Sequence, residues 1–312
     1  MKPYISVVIP VYNEEGNLDK LFERLYPVML AIARPFEIIF TDDGSSDSSL
    51  AILKEKAAVH PEVRVVEFNG NFGQHMAIMA AFEVSRGEIV ITLDADLQNP
   101  PEEIPKLVVE IEKGHDVVGS IRQNRQDTFF RKTASLMVNV ATRKMTGMKM
   151  TDYGCMLRAY HRNVVDNINQ CQEASTFIPA LAQTYASSPS EIEVAHAERV
   201  EGESKYSLYS LVRLNFDLMT GFSVVPLQLF ALFGIVTALF SLAFALFLLI
   251  RRFIVGAEVE GVFTLFAILF FIMGVTIFGI GIVGEYVGRI YQEVRHRPRY
   301  VVRKVHGVAN GE

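Results

Sequence analysis

The sequence predicts an α/β protein, a mostly parallel sheet covered by helices, followed by a membrane hairpin near the C-terminus. Three observations predict it. Short apolar runs alternate with helix-spaced segments, polar clusters directly follow three of those runs, and two later stretches carry no formal charge. Alternation of this kind builds a sheet with helices on its faces. Ligands of such sheets bind beyond the carboxyl ends of the strands.

Ile5–Val11, Glu37–Thr41, Val63–Phe68, Ile89–Leu93 and Val117–Ser120 read as short buried strands. Between them Leu18–Ile32, Ser48–Ala58, Gln74–Val84 and Glu102–Ile111 have helical spacing. Farther on, Tyr206–Phe222 places Leu208, Leu211, Leu214 and Leu218 on one helical face and reads as an interfacial segment. The 33 uncharged residues between Asp217 and Arg251, and the 24 between Glu260 and Glu285, each exceed the ~20 apolar residues of a spanning helix. The expected organisation is therefore an α/β domain over 1–205, an interfacial segment over 206–225, two membrane helices near 226–250 and 261–284, and a basic tail over 285–312. Between Glu285 and Lys304 six Arg or Lys face two Glu, which keeps that tail cytoplasmic. Plain solvation and attraction to anionic lipid both account for its charge. The N-terminus lacks the apolar core and cleavage site of a signal peptide, so the α/β domain is expected in the cytoplasm. Gly284 and Gly288 form a small-xxx-small pair of the kind that helices of a homo-oligomer use.

Composition removes several function classes. A net charge of −5 argues against a nucleic-acid partner. Two cysteines are too few for a disulfide scaffold or a four-cysteine zinc site. With half its residues hydrophobic, the chain is not a disordered one.

The chemistry sits after the strands. Pro10-Val-Tyr-Asn-Glu-Glu15 follows the first, Thr41-Asp-Asp-Gly-Ser-Ser-Asp47 the second and Asp94-Ala-Asp-Leu-Gln98 the fourth. Asp42-Asp-Gly-Ser reads equally well as a ligand loop or as a turn leading to a helix capped by Asp47. Asp94 and Asp96 are more telling, because two carboxylates so close repel unless a cation compensates. Mg²⁺ or Mn²⁺ binds through one or two carboxylates plus substrate phosphates, and the amide oxygen of Gln98 is a further candidate ligand. An ion there would offset a diphosphate leaving group.

These motifs resemble the signatures of the polyprenyl-phosphate glycosyltransferases of GT-A family 2. Asn71-Phe-Gly-Gln-His75, Leu97-Gln-Asn-Pro-Pro-Glu-Glu-Ile-Pro105, Gly119-Ser-Ile-Arg-Gln-Asn-Arg-Gln-Asp127, Asp152-Tyr-Gly-Cys-Met-Leu-Arg-Ala-Tyr160, Gly202-Glu-Ser-Lys-Tyr206 and Gly284-Glu-Tyr-Val-Gly-Arg-Ile-Tyr291 extend the resemblance over nearly the whole chain. The resemblance implies a Rossmann-like nucleotide-diphospho-sugar transferase domain. It also implies inverting, metal-dependent transfer of one sugar from a UDP-sugar to undecaprenyl phosphate at the cytoplasmic face of the inner membrane, in lipid A modification. The sugar implied is 4-deoxy-4-formamido-L-arabinose, with glucose as the alternative.

Carried over residue by residue, the resemblance assigns Pro10, Tyr12, Glu14, Thr41, Asp43, Asp94 and Ala95 to the nucleotide-sugar pocket, with Tyr12 stacking on the base. Asp96 would ligate the metal beside Gln98. Arg122, Arg199 and Lys205 would meet the donor diphosphate, where an oxyanion leaving group needs cations. Arg131 and Ser135, one helical turn apart, would hold the acceptor phosphate. Asp152 would sit at the reaction centre; because the acceptor phosphate is already ionised, it serves as a base or only orients substrate. His75 either meets the sugar or is structural. A processive synthase of this fold carries a Gln-x-x-Arg-Trp motif, and this chain has no Trp. A catalytically dead membrane adaptor would have lost part of the Asp94, Asp96, Gln98 set, and all three are present.

Overall fold

The computed structural model describes residues 2–122, 155–171, 177–195, 225–255, 261–295 and 298–307. They form two compact units, one holding the sheet and its helices and the other the two long apolar helices.

The sheet unit opens with β1 (Ile5–Val11), α1 (Glu15–Ala31), β2 (Phe36–Asp42), α2 (Ser49–Val59), β3 (Val63–Phe68), α3 (Gln74–Val84) and β4 (Ile89–Thr92). A 3₁₀ turn (Pro101–Glu103), α4 (Ile104–Glu112) and β5 (Val117–Arg122) follow. All seven residues of β1 are buried, because helices cover both faces of a central parallel strand and leave no side for polar alternation. α1 buries Leu18, Leu21, Phe22, Leu25 and Met29, a stripe at helical spacing. The predicted helices in this region differ from the observed ones by three residues at most.

Past β5 the structure adds elements that sequence patterning does not show: β6 (Arg158–His161), α5 (Arg162–Gln170), α6 (Ile178–Tyr185), β7 (Pro189–Val194) and β8 (Val302–His306). Strand order is β7-β5-β6-β4-β1-β2-β3-β8. β1 pairs parallel with both β2 and β4. The order reverses there, a topological switch point where such sheets bind ligands. β6 is antiparallel to β4 and β5, and β8 is antiparallel to β3. The basic tail expected over 285–312 contains a strand: Val302–His306 pairs with β3 at one edge of the sheet. Arg303, Lys304 and His306 disguise the strand in sequence, yet charged residues suit a sheet edge.

The second unit holds α7 (Val225–Val255) and α8 (Val262–Val294). Within them Leu227–Phe244 and Ile268–Gly288 are long and apolar enough to cross a membrane. Their large apolar side chains are exposed, Phe240 at 72% and Phe278 at 66%, as lipid-facing helices require and water-soluble ones avoid. α8 runs past the expected span end at 284. Gly279 is buried because Phe230 of α7 packs over it, and a Cβ there would overlap the ring. Gly284 and Gly288 meet open space instead. The interfacial segment 206–225 lies outside the described residues, except for Val225.

Candidate functional site

Two loops at the switch point are laced together. After β1 the backbone turns through Asn13, which holds a positive φ of 54°, a conformation Asn tolerates. Its N–H donates to Ser45 Oγ at 3.0 Å and its Oδ1 accepts from Ser46 N–H at 2.8 Å. Glu14 N–H donates to Ser49 Oγ at 2.9 Å, and Glu15 Oε2 accepts from Ser48 N–H at 2.9 Å. Asp47 takes Ser49 N–H on one oxygen and Glu15 N–H on the other, the first amides of α2 and α1. Asp47 therefore serves both helix starts from the residue before the N-cap Ser48, not as the N-cap itself.

Asp43 fixes a third loop. Its two oxygens accept the N–H groups of Phe72 at 2.6 Å and Gly73 at 2.9 Å. Gln74, the next residue, donates from Nε2 to Asp94 Oδ1 at 2.6 Å. Asp43 is 3% exposed, and burial raises its carboxyl against the pull of those two amides. The part of Asp43 visible here is therefore the anchoring of the segment that also holds Asp94. Gly44 is required beside it: at φ +71°, a Cβ would lie 2.5 Å from the carbonyl carbon of Gly70.

After β4, side chains alternate between core and site. Ala95 and Leu97 are 4% and 3% exposed and belong to the core, and Asn99 is buried too. Asp94, Asp96 and Gln98 are the partly exposed set between them. Leu97 has φ 61°, costly for a branched side chain, and its burial holds the strained turn. Asp96 Oδ1 accepts Gln98 N–H at 3.1 Å, closing that turn. Ala95 consequently offers a donor only its backbone. Cys155 Sγ reaches Asn99 Oδ1 at 3.5 Å, and Thr92 Oγ1 donates to Met156 O at 2.6 Å. These bonds tie the segment just after Asp152 to the same turn.

Charge collects in the same place. Burial first, then the Asp96 and Glu14 carboxylates, pushes Asp94 up to about 7, against Arg122 and the Gln74 amide. Two neighbouring carboxylates suit a divalent cation, whose remaining ligands a diphosphate can supply. Among the described residues no group of three or more His, Cys, Asp or Glu converges.

The structure thus brings Glu14, Asp43, Asp94, Asp96 and Arg122 to one sheet edge. Tyr12 is 46% exposed and available for stacking, whereas Pro10 and Thr41 are buried, Thr41 completely. Arg131, Ser135, Asp152, Arg199 and Lys205 lie outside the described residues. Asn13 and Gln74 are the residues sequence reasoning missed; both sit inside motifs it singled out, but their partners are 20 or more positions away.

The glycosyl transferase family 2 model matches residues 6–168. The undecaprenyl-phosphate 4-deoxy-4-formamido-L-arabinose transferase of Proteus mirabilis is 53% identical over 307 residues, 97% of this chain and 94% of that protein. The enzyme of the same name from Klebsiella pneumoniae subsp. pneumoniae is 52% identical, covering 96% of this chain and 93% of its own. Glucosyl-3-phosphoglycerate synthase from Mycobacterium tuberculosis, solved with Mn²⁺ and UDP-glucose, shares the fold with a TM-score of 0.50 at 19% identity, over 70% of this chain and 77% of that one. The architecture is that of a GT-A glycosyltransferase, and with more than half its length inside the family match the chain belongs to glycosyl transferase family 2.

Proposed function

We propose that this glycosyltransferase moves 4-deoxy-4-formamido-L-arabinose, with inversion, from its UDP carrier to undecaprenyl phosphate at the cytoplasmic face of the inner membrane, for lipid A modification. The single observation that carries the donor side is the Asp94–Asp96 pair at the switch point, held open toward solvent by the alternation of its turn. The acceptor and the sugar are supported by the identity of about half to the two named relatives over nearly the full length.

In this reading Tyr12 stacks on the base and Glu14 borders the nucleoside. Asp96, with Gln98, would hold Mg²⁺ or Mn²⁺, and the ion would neutralise the departing diphosphate. Arg122 adds positive charge at the end of β5, joined by Arg199 and Lys205. Arg131 and Ser135 clamp the acceptor phosphate, whose oxygen attacks the anomeric carbon as the bond to UDP breaks. That oxygen is already ionised, so Asp152 orients it rather than removing a proton. The two apolar helices confine the enzyme to the plane where the lipid's phosphate lies.

The test is release of UDP by the full-length protein. It should occur only when a divalent cation and undecaprenyl phosphate are both present. UDP release that ignores the lipid would contradict the acceptor.

A further inference from the structure

We propose that the C-terminal segment 299–306 is a positioning element of the donor site, acting through Tyr300. The inference rests on the donor reading above and extends it to residues far beyond position 168, where the family match ends.

Tyr300 stacks on Phe68 with ring centroids 5.1 Å apart and planes 13° from parallel. Phe68 in turn meets Phe72 edge-on, at 5.5 Å and 89°. Phe72 is the residue whose N–H donates to Asp43, and two positions later Gln74 donates to Asp94. Three contacts therefore lead from the C-terminal segment to the acids of the site. The loop between β3 and α3 contains Gly70 and Gly73, the latter at φ 93°, and has little stiffness of its own. The aromatic row supplies that stiffness on one side.

The remaining contacts hold the segment in register. Asn69 N–H donates to Val301 O at 3.2 Å, and Phe68 pairs with Val302 across a ladder irregularity next to Glu67. Glu67, 7% exposed at its side chain, gathers Lys54 at 2.9 Å, His306 at 2.8 Å and Arg303 at 3.4 Å. Arg299 donates to the carbonyl of Cys171. Two residues of β8 and one of α2 thus share one nearly buried carboxylate, and the strand cannot slide without breaking that set. What began as a basic tail in sequence becomes a brace under the donor loops.

The experiment uses the full-length protein in lipid nanodiscs. UDP is titrated in the presence of Mn²⁺, and KM is measured separately for the UDP-sugar and for undecaprenyl phosphate. Tyr300→Leu, which loses the stack but keeps apolar bulk, should raise the Kd for UDP and the donor KM about five-fold. Its acceptor KM should stay within about two-fold, and Tyr300→Phe should match wild type. Unchanged UDP binding in Tyr300→Leu, or equal rises in both KM values, would overturn the inference. Should Tyr300→Leu fail to fold, Phe72→Leu breaks the same row one link nearer Asp43 and must give the same donor-only effect, and its absence is equally fatal. A wild-type protein that does not bind UDP at all would instead overturn the donor reading itself.

Discussion

Asp96 owes its placement to the residues on either side of it. Ala95 and Leu97 are sunk in the core, and the Gln98 N–H bonded to Asp96 Oδ1 fixes the turn between them. Asp96→Asn keeps that shape and removes the charge. Turnover should fall more than about ten-fold, since a divalent cation at a leaving phosphate supplies several kcal/mol. UDP release and thermal unfolding measured together check this, and activity near wild type would remove Asp96 from the metal's shell. Gly44→Ala acts through the backbone instead. Positive φ and the approach to Gly70 should cost about 1–3 kcal/mol and raise the donor KM, because the loop that Asp43 anchors is displaced. At this scale the outward set Asp94, Asp96, Gln98 was legible, because a period of two shows in the sequence. The bonds from Asp43 to Phe72 and Gly73 were not, because their donors are backbone amides that every residue carries.

Elements divide the same way. β1 to β5 and α1 to α4 were readable because the strands are short, mainly apolar runs and the helices carry apolar residues at helical spacing. β6 has four residues, β7 reads Pro-Ser-Glu-Ile-Glu-Val, and β8 carries three basic residues; the latter two are edges, where polar residues belong. β8 makes a pH test possible. Burial resists ionisation of Glu67, but Lys54 and His306 outweigh it and hold the carboxyl below its ordinary value. Such a group stabilises the fold above its unfolded value, about 4.3, and loses that contribution as the pH falls through its folded value. The gap in thermal midpoint between wild type and Glu67→Gln should therefore be full at neutral pH and shrink below about pH 4. A gap that does not change with pH would show the carboxylate contributes nothing through its charge. In the helical hairpin, Gly279→Leu should lower the midpoint in detergent by forcing Phe230 aside, whereas Gly284→Leu, facing open space, should not.

For the whole molecule, the return of the chain to the sheet after two apolar helices changes how membrane attachment can be tested. Cutting at residue 206 would remove β8 along with the helices, so loss of activity would prove nothing about docking. Replacing 207–296 by a flexible linker keeps β8. That protein should bind UDP and use a short, water-soluble isoprenyl phosphate, yet lose at least about ten-fold in transfer to long-chain lipid in bilayers, where local concentration is set by the membrane. Equal use of the long-chain lipid would give the helices another purpose. The two long apolar helices were legible because an uncharged stretch of that length shows in sequence whatever it packs against. The lipid product reports donor, sugar and acceptor at once. Full-length enzyme in nanodiscs, given undecaprenyl phosphate, a divalent cation and a panel of UDP- and GDP-sugars, is assayed by mass spectrometry of the lipid. A single new lipid is expected, undecaprenyl phosphate carrying 4-deoxy-4-formamido-L-arabinose from its UDP donor. Glucose transferred in preference, or no glycosylated lipid from any donor, would contradict that assignment.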